Sequence, residues 1–272
     1  MKIYVLGISG SPRHGNTELL VKEALKAAEE LGDVETKLIS LADYELKPCE
    51  SCHLCFGFMK GATEETVCYK HRDVDPIIKE MLKADGLIIG SPVYTWDMSG
   101  KLRCLLEKCA ALCPAAFSEL SYRFRFKVVG AIAVSGGLFE AQESVVQAIW
   151  RWAIPLGMIP VGAVYTVEDP FPGSSLLGGI ASEAFSKSLH DSDSITKEKS
   201  GFLWTPFLKS TRSLGRNVAT ISRIVKVGVE TLKKTGVKIP ESKAWVKYPK
   251  KPQPGSYIEK LVKEGKVKVV ER

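Results

Sequence analysis

The sequence lacks any apolar run that approaches the roughly 18 residues needed to cross a bilayer. It also lacks the layout of a signal peptide, because the early apolar segment IYVLGI is short and runs into a glycine- and serine-rich loop. No internal repeat is present, so a repeat architecture is not expected. We therefore expect a soluble, cytoplasmic protein with no membrane partner.

Two further patterns are missing. The loop after the first predicted strand matches neither G-x-x-x-x-G-K-[ST] nor G-x-G-x-x-G, so an ATPase-type phosphate loop is not predicted. No residue stands out as a general acid or base, and we assign no catalytic residue from the sequence.

The chain does carry an uneven positive charge. Its formal net charge is +7, yet residues 207–272 hold 17 lysine and arginine residues against 5 acidic ones. A basic tail attracts anionic partners, including nucleic acid or an acidic electron-transfer protein. None of the known nucleic-acid-binding motifs accompanies this charge, so we favour a solvated helix face and do not expect nucleic acid as a partner.

Apolar strands alternate with amphipathic helices through the first half of the chain, which is typical of a parallel α/β sheet. We predict a doubly wound, five-stranded parallel sheet with strands at 3–8, 34–41, 86–91, 127–135 and 158–167. Helices are predicted at 16–31, from Asp75–Pro76 as cap and first turn, through 140–154, and at 208–235. Residues 1–165 are read as one domain with a cysteine-rich insertion at 44–72. Residues 166–272 are read as an excursion, a helix and a basic extension packed on it.

The loop between the first strand and its helix contains residues suited to a phosphate. Backbone N–H groups at the helix start, hydroxyl groups and one arginine charge all favour an anion there. The residues concerned are Ser9, Ser11, Arg13, Asn16 and Thr17. The alternative is an ordinary connection in which Asn16 or Thr17 simply caps the helix.

Two later loops follow the strands at 86–91 and 127–135. The first carries Pro92, Tyr94 and Trp96, and the second carries Ser135, Gly136 and Gly137. Ligands of open α/β sheets bind outside the carboxyl ends of the strands, where the strand order reverses. Hydrogen-bond donors for a phosphate, a flat aromatic surface and a backbone that can approach a ring edge together suit an aromatic nucleotide. Packing in the core or an interface is the alternative for the two aromatic residues.

Taken in order, GISGSPRHGNTELL, IIGSPVYTWDMSGKL and VSGGLFEAQE resemble the flavodoxin-like NADPH-dependent FMN reductases, over about residues 1–165. With the cysteine insertion, the chain is similar to the iron–sulfur flavoproteins of archaea and anaerobes. The resemblance implies bound FMN, and a homodimer or tetramer in which long loops cover the neighbour's flavin. It implies an FMN site made of Ser9, Ser11, Pro12, Arg13, Asn16, Thr17, Pro92, Val93, Tyr94, Trp96, Ser135, Gly136 and Gly137.

Three cysteines have the spacing C-x2-C-x2-C, at Cys49, Cys52 and Cys55. This spacing is that of a ferredoxin-like loop holding three corners of a [4Fe–4S] cluster. Cys68 is the natural fourth ligand, although its C-x12-C spacing is longer than is usual in the resembled family. Cys104 and Cys109 are fallback ligands, while our first interpretation of both, and of Cys113, is apolar packing on a helix.

Zinc and a metal-free thiol loop are the alternatives to a cluster. A four-cysteine zinc site usually pairs two separate C-x2-C knuckles, and the second is missing here. We predict an electron-transfer flavoprotein that links one-electron donors to FMN, with a ferredoxin or NAD(P)H as electron donor. A plain NAD(P)H-dependent FMN or quinone reductase with structural cysteines is the first rival. A non-catalytic flavin- or zinc-binding sensor is the second.

Overall fold

The computed structural model describes residues 1–57, 59–116, 118–136, 141–164, 179–182, 201–237, 259–260 and 263–265. Within these ranges seven strands form one sheet. They are β1 (Ile3–Ser9), β2 (Val34–Ser40), β3 (Gly86–Tyr94), β4 (Asp97–Met98), β5 (Val128–Ser135), β6 (Ile159–Val161) and β7 (Gly179–Ser182). The five helices are α1 (Asn16–Glu29), α2 (Asp75–Lys83), α3 (Gly100–Lys108), α4 (Gln142–Ala153) and α5 (Gly201–Lys234). No helix of the described ranges is apolar over a length that would cross a membrane.

The main path of the sheet runs β2-β1-β3-β5-β6, with every neighbouring pair parallel. This is the strand order of the flavodoxin type, so the predicted doubly wound α/β class is confirmed. The central strands are buried on both faces, which explains their continuous apolar sequences. Adjacent residues face opposite sides: Ile89 belongs to the core under α2, α3 and α4, while Ile88 belongs to the core under α1 and α5.

Several predicted boundaries were wrong. The third strand does not end at Ser91 but continues through Pro92 to Tyr94, because it pairs back with β4 as a hairpin. Of the strand predicted at 158–167, residues 158–164 are described, and the strand among them is Ile159–Val161. The C-terminal half of β5 pairs instead with β7, which belongs to the segment predicted to be an irregular excursion.

Helix α5 lies unusually close to the sheet and to α1. A Cβ added at Gly86 or Gly130 would lie 2.9 or 2.8 Å from a methyl group of Val218, so these strand glycines make room for the helix. Gly215 faces α1, where an added Cβ would overlap the Ala24 carbonyl oxygen and lie 2.7 Å from its carbon. The two helices therefore touch backbone to backbone at this point.

Gly215→Ala should destabilise the protein despite the better helix propensity of alanine. Replacing glycine by alanine in a helix interior stabilises the helix by up to about 1 kcal/mol. Forcing an extra methyl group into a packed core destabilises the protein by about 1–3 kcal/mol, and the upper end of that range applies where the neighbour cannot move. Because the neighbour is backbone and cannot rotate away, we expect a net loss of about 2 kcal/mol in the free energy of unfolding. Gly228→Ala is the matched control, since nothing lies within 4 Å of its added Cβ and it should stabilise. Urea denaturation of both variants checks this, and a stabilised Gly215→Ala would contradict the contact.

Candidate functional site

The first two predicted ligand loops meet at the carboxyl edge of the sheet. Ser9 at the end of β1 is in register with Gly90 of β3, and the Gly10 N–H donates to the Gly90 carbonyl at 2.7 Å. Ser99, just before α3, ties both loops together. Its N–H donates to Ser91 Oγ at 3.0 Å and its hydroxyl donates to the Gly10 carbonyl. The buried Ser99 side chain is therefore the junction of the two loops.

The loop between β1 and α1 leaves hydrogen-bonding capacity unused. Ser9 is fully buried, and its hydroxyl has no hydrogen-bond partner within the described part of the chain. The N-cap of α1 is Gly15, and no side chain caps the helix. Capping by Asn16 or Thr17, the alternative from the sequence, is therefore wrong. The first N–H groups of α1 remain available to an anion, as helix starts commonly provide.

Other members of this loop differ in exposure. Ser11 is buried and its Oγ accepts from the Arg13 N–H at 3.2 Å, which tightens the turn. Pro12 and Arg13 are exposed, whereas Asn16 and Thr17 are buried in the first turn of α1. The loop thus combines buried hydroxyl groups with one exposed guanidinium, a combination suited to a phosphate group.

A carboxylate beside this loop is neutralised by its neighbours. Burial disfavours ionisation of Glu18, but hydrogen bonds from Lys22 and His14 outweigh it and lower the pKa of Glu18 to about 2. His14 also lies 3.1 Å from Asp43, and its pKa is raised, chiefly by its hydrogen bond to Glu18. The positive partners offset the negative charge that would otherwise oppose an anion at the start of α1.

The aromatic loop is a β-hairpin with a two-residue turn. Tyr94 pairs with Asp97, so Thr95 and Trp96 form the turn, at φ of +48° and +61°. Two positive φ values are typical of a type I′ turn, which favours asparagine and glycine, and a β-branched threonine is an uncommon occupant. Tyr94 and Trp96 are 42% and 74% exposed, so core packing of the pair is wrong. Pro92 is buried and Val93 is partly buried.

The third loop begins next to the same edge, because Pro92 of β3 is in register with Val134 of β5. Ser135 is buried, and its hydroxyl accepts from the Gln142 amide at the start of α4. Gly136 is exposed, while Gly137 lies outside the described residues. The structure therefore brings members of all three predicted loops to one edge of the sheet.

The four predicted cluster cysteines lie in one electrostatic neighbourhood. Cys49 is exposed, and Cys52, Cys55 and Cys68 are partly buried. The pKa of the Cys55 thiol is raised to about 11, chiefly by burial and in smaller part by the nearby Cys68, Cys49 and Cys52. The 12-residue gap before Cys68 therefore does not separate it from the other three.

Backbone N–H groups point at two of these sulfur atoms. The Ser51 N–H donates to Cys49 Sγ at 3.4 Å, and the His71 N–H donates to Cys68 Sγ at 3.3 Å. Hydrogen bonds to ligand sulfur stabilise thiolates and tune the potentials of iron–sulfur clusters. His53, which lies between two of the cysteines, is exposed.

Helix α3 holds the start of the cysteine segment against the domain. Glu107 accepts from the Cys49 N–H at 3.2 Å, and Lys108 donates to the Lys47 carbonyl. Ser99, at the flavin-side end of α3, lies eight residues before Glu107. At 1.5 Å per residue, one helix therefore links the two regions over on the order of 12 Å.

The cysteines on and after α3 differ in their burial. Cys109 is fully buried and its thiol donates to the Leu105 carbonyl at 3.5 Å, which confirms its predicted packing role. Cys104 and Cys113 are partly buried. Burial raises the pKa of Cys104, with Lys108 and Glu107 as its next strongest influences.

Within the described residues, no three His, Cys, Asp or Glu side chains converge closely enough to hold a single metal ion. A cluster makes a different demand, because each thiolate of a [4Fe–4S] cube binds a separate iron. Four thiols in one neighbourhood, two of them accepting backbone N–H groups, fit that demand.

Comparison with known proteins adds to this geometry. Residues 2–170 match the family model for NADPH-dependent FMN reductases. An iron–sulfur flavoprotein of Methanocaldococcus jannaschii is 37% identical over 223 residues, covering 82% of this chain and 98% of the relative. One from Methanosarcina thermophila is 33% identical, covering 58% of this chain and 76% of the relative. The chain belongs to the NADPH-dependent FMN reductase family, among its iron–sulfur flavoproteins.

Solved structures support the fold of this flavoprotein. RosB superposes with a TM-score of 0.57 at 12% identity, covering 93% of this chain and 98% of RosB. A flavone reductase gives 0.54 at 16% identity, covering 82% of this chain and 64% of its own. The family prediction made from the sequence is confirmed, and the protein is a flavin-dependent oxidoreductase that uses FMN.

The FMN of this flavoprotein fits the residues at the carboxyl edge. The unpartnered Ser9 hydroxyl and the uncapped start of α1 suit its phosphate, and Arg13 supplies the charge. A Cβ on Gly10 would lie 2.8 Å from Leu102 Cβ, so only glycine allows the loop to follow this path. The exposed face of Tyr94 suits the isoalloxazine ring.

Proposed function

We propose that this flavoprotein transfers electrons between a [4Fe–4S] cluster held by Cys49, Cys52, Cys55 and Cys68 and an FMN bound at the carboxyl edge of the sheet. The observation that carries the proposal is the position of Cys68, Cys49 and Cys52 near Cys55, together with the backbone N–H groups that point at Cys49 and Cys68. The names of the iron–sulfur flavoprotein relatives support it. The cysteines would hold the irons as thiolates, and Glu107 would fix the segment that carries the first of them.

Bound FMN supplies chemistry that links one-electron donors with two-electron acceptors. The protein's contribution is to bind the phosphate with Ser9, Ser11, Arg13 and the start of α1. It also places flat aromatic surface and backbone against the ring. No general acid or base is needed for such an electron transfer. A ferredoxin or NAD(P)H is the proposed electron donor.

A second copy of the chain is the proposed cover for the aromatic hairpin. Trp96 is 74% exposed at the tip of a rigid two-residue turn, next to Tyr94. Such exposed aromatic surface beside a ligand site is typical of an interface. We therefore propose that the working unit is a homodimer or a pair of dimers.

Anaerobic purification tests these proposals together. We expect FMN and about four iron and four sulfide per chain, broad absorption near about 400 nm beyond that of flavin, and a native mass of at least two chains. One-electron reduction should reduce the flavin. FMN without iron or sulfide after reconstitution would sink the cluster, and a monodisperse holo-monomer at micromolar concentration would sink the dimer.

A plain NAD(P)H-dependent reductase with structural cysteines is the second candidate. It is favoured by an NAD(P)H-dependent FAD/FMN reductase of Geobacillus thermodenitrificans, 26% identical over 174 residues, which covers 61% of this chain and 78% of that relative. The iron and sulfide content separates the two candidates, because a plain reductase with structural cysteines would bind neither.

A further inference from the structure

Asp75 has a buried carboxylate that serves no helix cap. The sequence predicts it as the N-cap of α2, but the N-cap is Val74 and Asp75 is the first helical residue. Only 3% of Asp75 is exposed. Burying a carboxylate is costly unless it is well hydrogen-bonded, so its partners identify its purpose.

The hydrogen-bond partners of Asp75 lie on the chain segment that carries Cys68. Asp75 Oδ1 accepts both the Val67 N–H at 3.1 Å and the Cys68 N–H at 3.0 Å. Its other oxygen faces Arg72, whose guanidinium also donates to the Glu65 carbonyl at 2.9 Å. One carboxylate thus holds the backbone on both sides of the peptide bond that leads into Cys68. Hydrogen bonds to an ionised group are about twice as strong as neutral ones.

Cys68 needs such a support more than the other three cysteines do. Cys49, Cys52 and Cys55 are held near one another by their short spacing along one loop. Cys68 follows a 12-residue gap, so only tertiary contacts can keep its thiol beside theirs. The His71 N–H to Cys68 Sγ contact fixes the side chain once the backbone is in place.

We propose that Asp75 is the positioning residue that holds Cys68 in place as the fourth cluster ligand. This inference rests on the proposed [4Fe–4S] function. Asp75 does not touch the cluster; it fixes the backbone N–H of Cys68, and the thiolate follows. Supporting partners of this kind are known to orient metal ligands in general.

The proposal predicts a specific chemical change when the support is removed. In a cube with three thiolate ligands, three irons are each bound by a thiolate, and the fourth iron is the one that is lost most easily. One-electron oxidation by ferricyanide then releases that iron as Fe²⁺, leaving a [3Fe–4S]⁺ cluster and reducing the ferricyanide to ferrocyanide. The oxidised three-iron cluster is paramagnetic, whereas an intact [4Fe–4S]²⁺ cluster is diamagnetic, so electron paramagnetic resonance distinguishes the two.

Reconstituted Asp75→Ala and Cys68→Ser are compared with the native protein after mild ferricyanide treatment. Both should lose about one iron of the four and show the three-iron resonance, while the native protein keeps its cluster. Asp75→Asn should behave like the native protein, because its amide oxygen still accepts both N–H groups. Glu80→Ala is the matched control, since Glu80 lies on the same helix but hydrogen-bonds Lys37 and Tyr4 instead.

The outcomes separate the inference from the function on which it rests. If Asp75→Ala keeps four irons while Cys68→Ser does not, Asp75 does not position Cys68 and the inference fails. If Glu80→Ala gives the three-iron resonance as well, the effect belongs to α2 as a whole and the inference also fails. If the native protein takes up no iron and sulfide at all, it is the proposed cluster that fails.

Discussion

Serine in place of Cys49, Cys52 or Cys55 is expected to lower the iron and sulfide content of the purified protein while most of the FMN stays bound. A serine hydroxyl is not ionised at neutral pH, so it does not replace the thiolate that each iron requires. The phosphate loop lies on β1 and α1, and α3 separates it from Cys49 by on the order of 12 Å. Iron, sulfide and flavin assays on the same anaerobic samples measure both parts.

Cys104→Ser is the control for these three variants. Cys104 lies on α3, and no other cysteine is among the groups that influence its pKa, so its loss should leave the iron content unchanged. Reduction of FMN by a one-electron donor should fail in the three loop variants, whereas direct reduction by hydride survives. Full iron content in any of the three would show that the loop is not the ligand set. Loss of iron in Cys104→Ser would instead make Cys104 the fourth ligand.

Arg13→Ala is expected to weaken FMN binding by about 1.5–3 kcal/mol, or roughly 10- to 150-fold in Kd. Arg13 is exposed beside the uncapped start of α1, where its guanidinium would contact the phosphate in water-accessible surroundings. Each apoprotein is titrated with FMN, and the quenching of flavin fluorescence gives the Kd of the native protein and of Arg13→Ala. The effect should shrink as salt is raised, because the contact is between charges.

Riboflavin makes this test specific, since it carries the same ring without the phosphate. Arg13→Ala should leave riboflavin affinity unchanged while FMN affinity falls. Arg151→Ala, an exposed arginine on α4, is the matched substitution and should change neither. Equal losses for both flavins would mean that Arg13 supports the ring or the fold rather than the phosphate.

Much of this architecture could be predicted because the central strands carry their own signal. Gly86–Ser91 and Val128–Ser135 are continuous apolar runs, as burial on both faces requires. The edge was harder to predict, because β6 and β7 take their positions from pairing with β5 rather than from an apolar pattern. The hairpin was missed for a similar reason: Thr95 and Trp96 are not residues that favour the turn they form.

At the site, the sequence identified ligand types better than their supports. The C-x2-C-x2-C spacing predicts three cluster ligands. Of the four predicted ligands, Cys68 had the least support from spacing alone. Its place depends on Asp75, whose position before a proline is the ordinary signal of a helix start. Long-range contacts of this kind leave no local pattern in a single sequence. Gly137, the last residue of the predicted FMN site, lies outside the described residues, so its role stays a prediction.

The divided edge of the sheet has a consequence for the behaviour of this protein in concentrated solution. Among the described residues, the sheet edge beyond β5 consists of β6 and β7, which are three and four residues long. Short strands are poor templates for pairing with another molecule. On the opposite edge, β2 is longer but carries Glu35 and Lys37, whose ion pairs with Lys2 and Glu80 keep charge along it. Both margins therefore discourage the open-ended strand addition that leads to aggregates, leaving association to surfaces off the sheet edges.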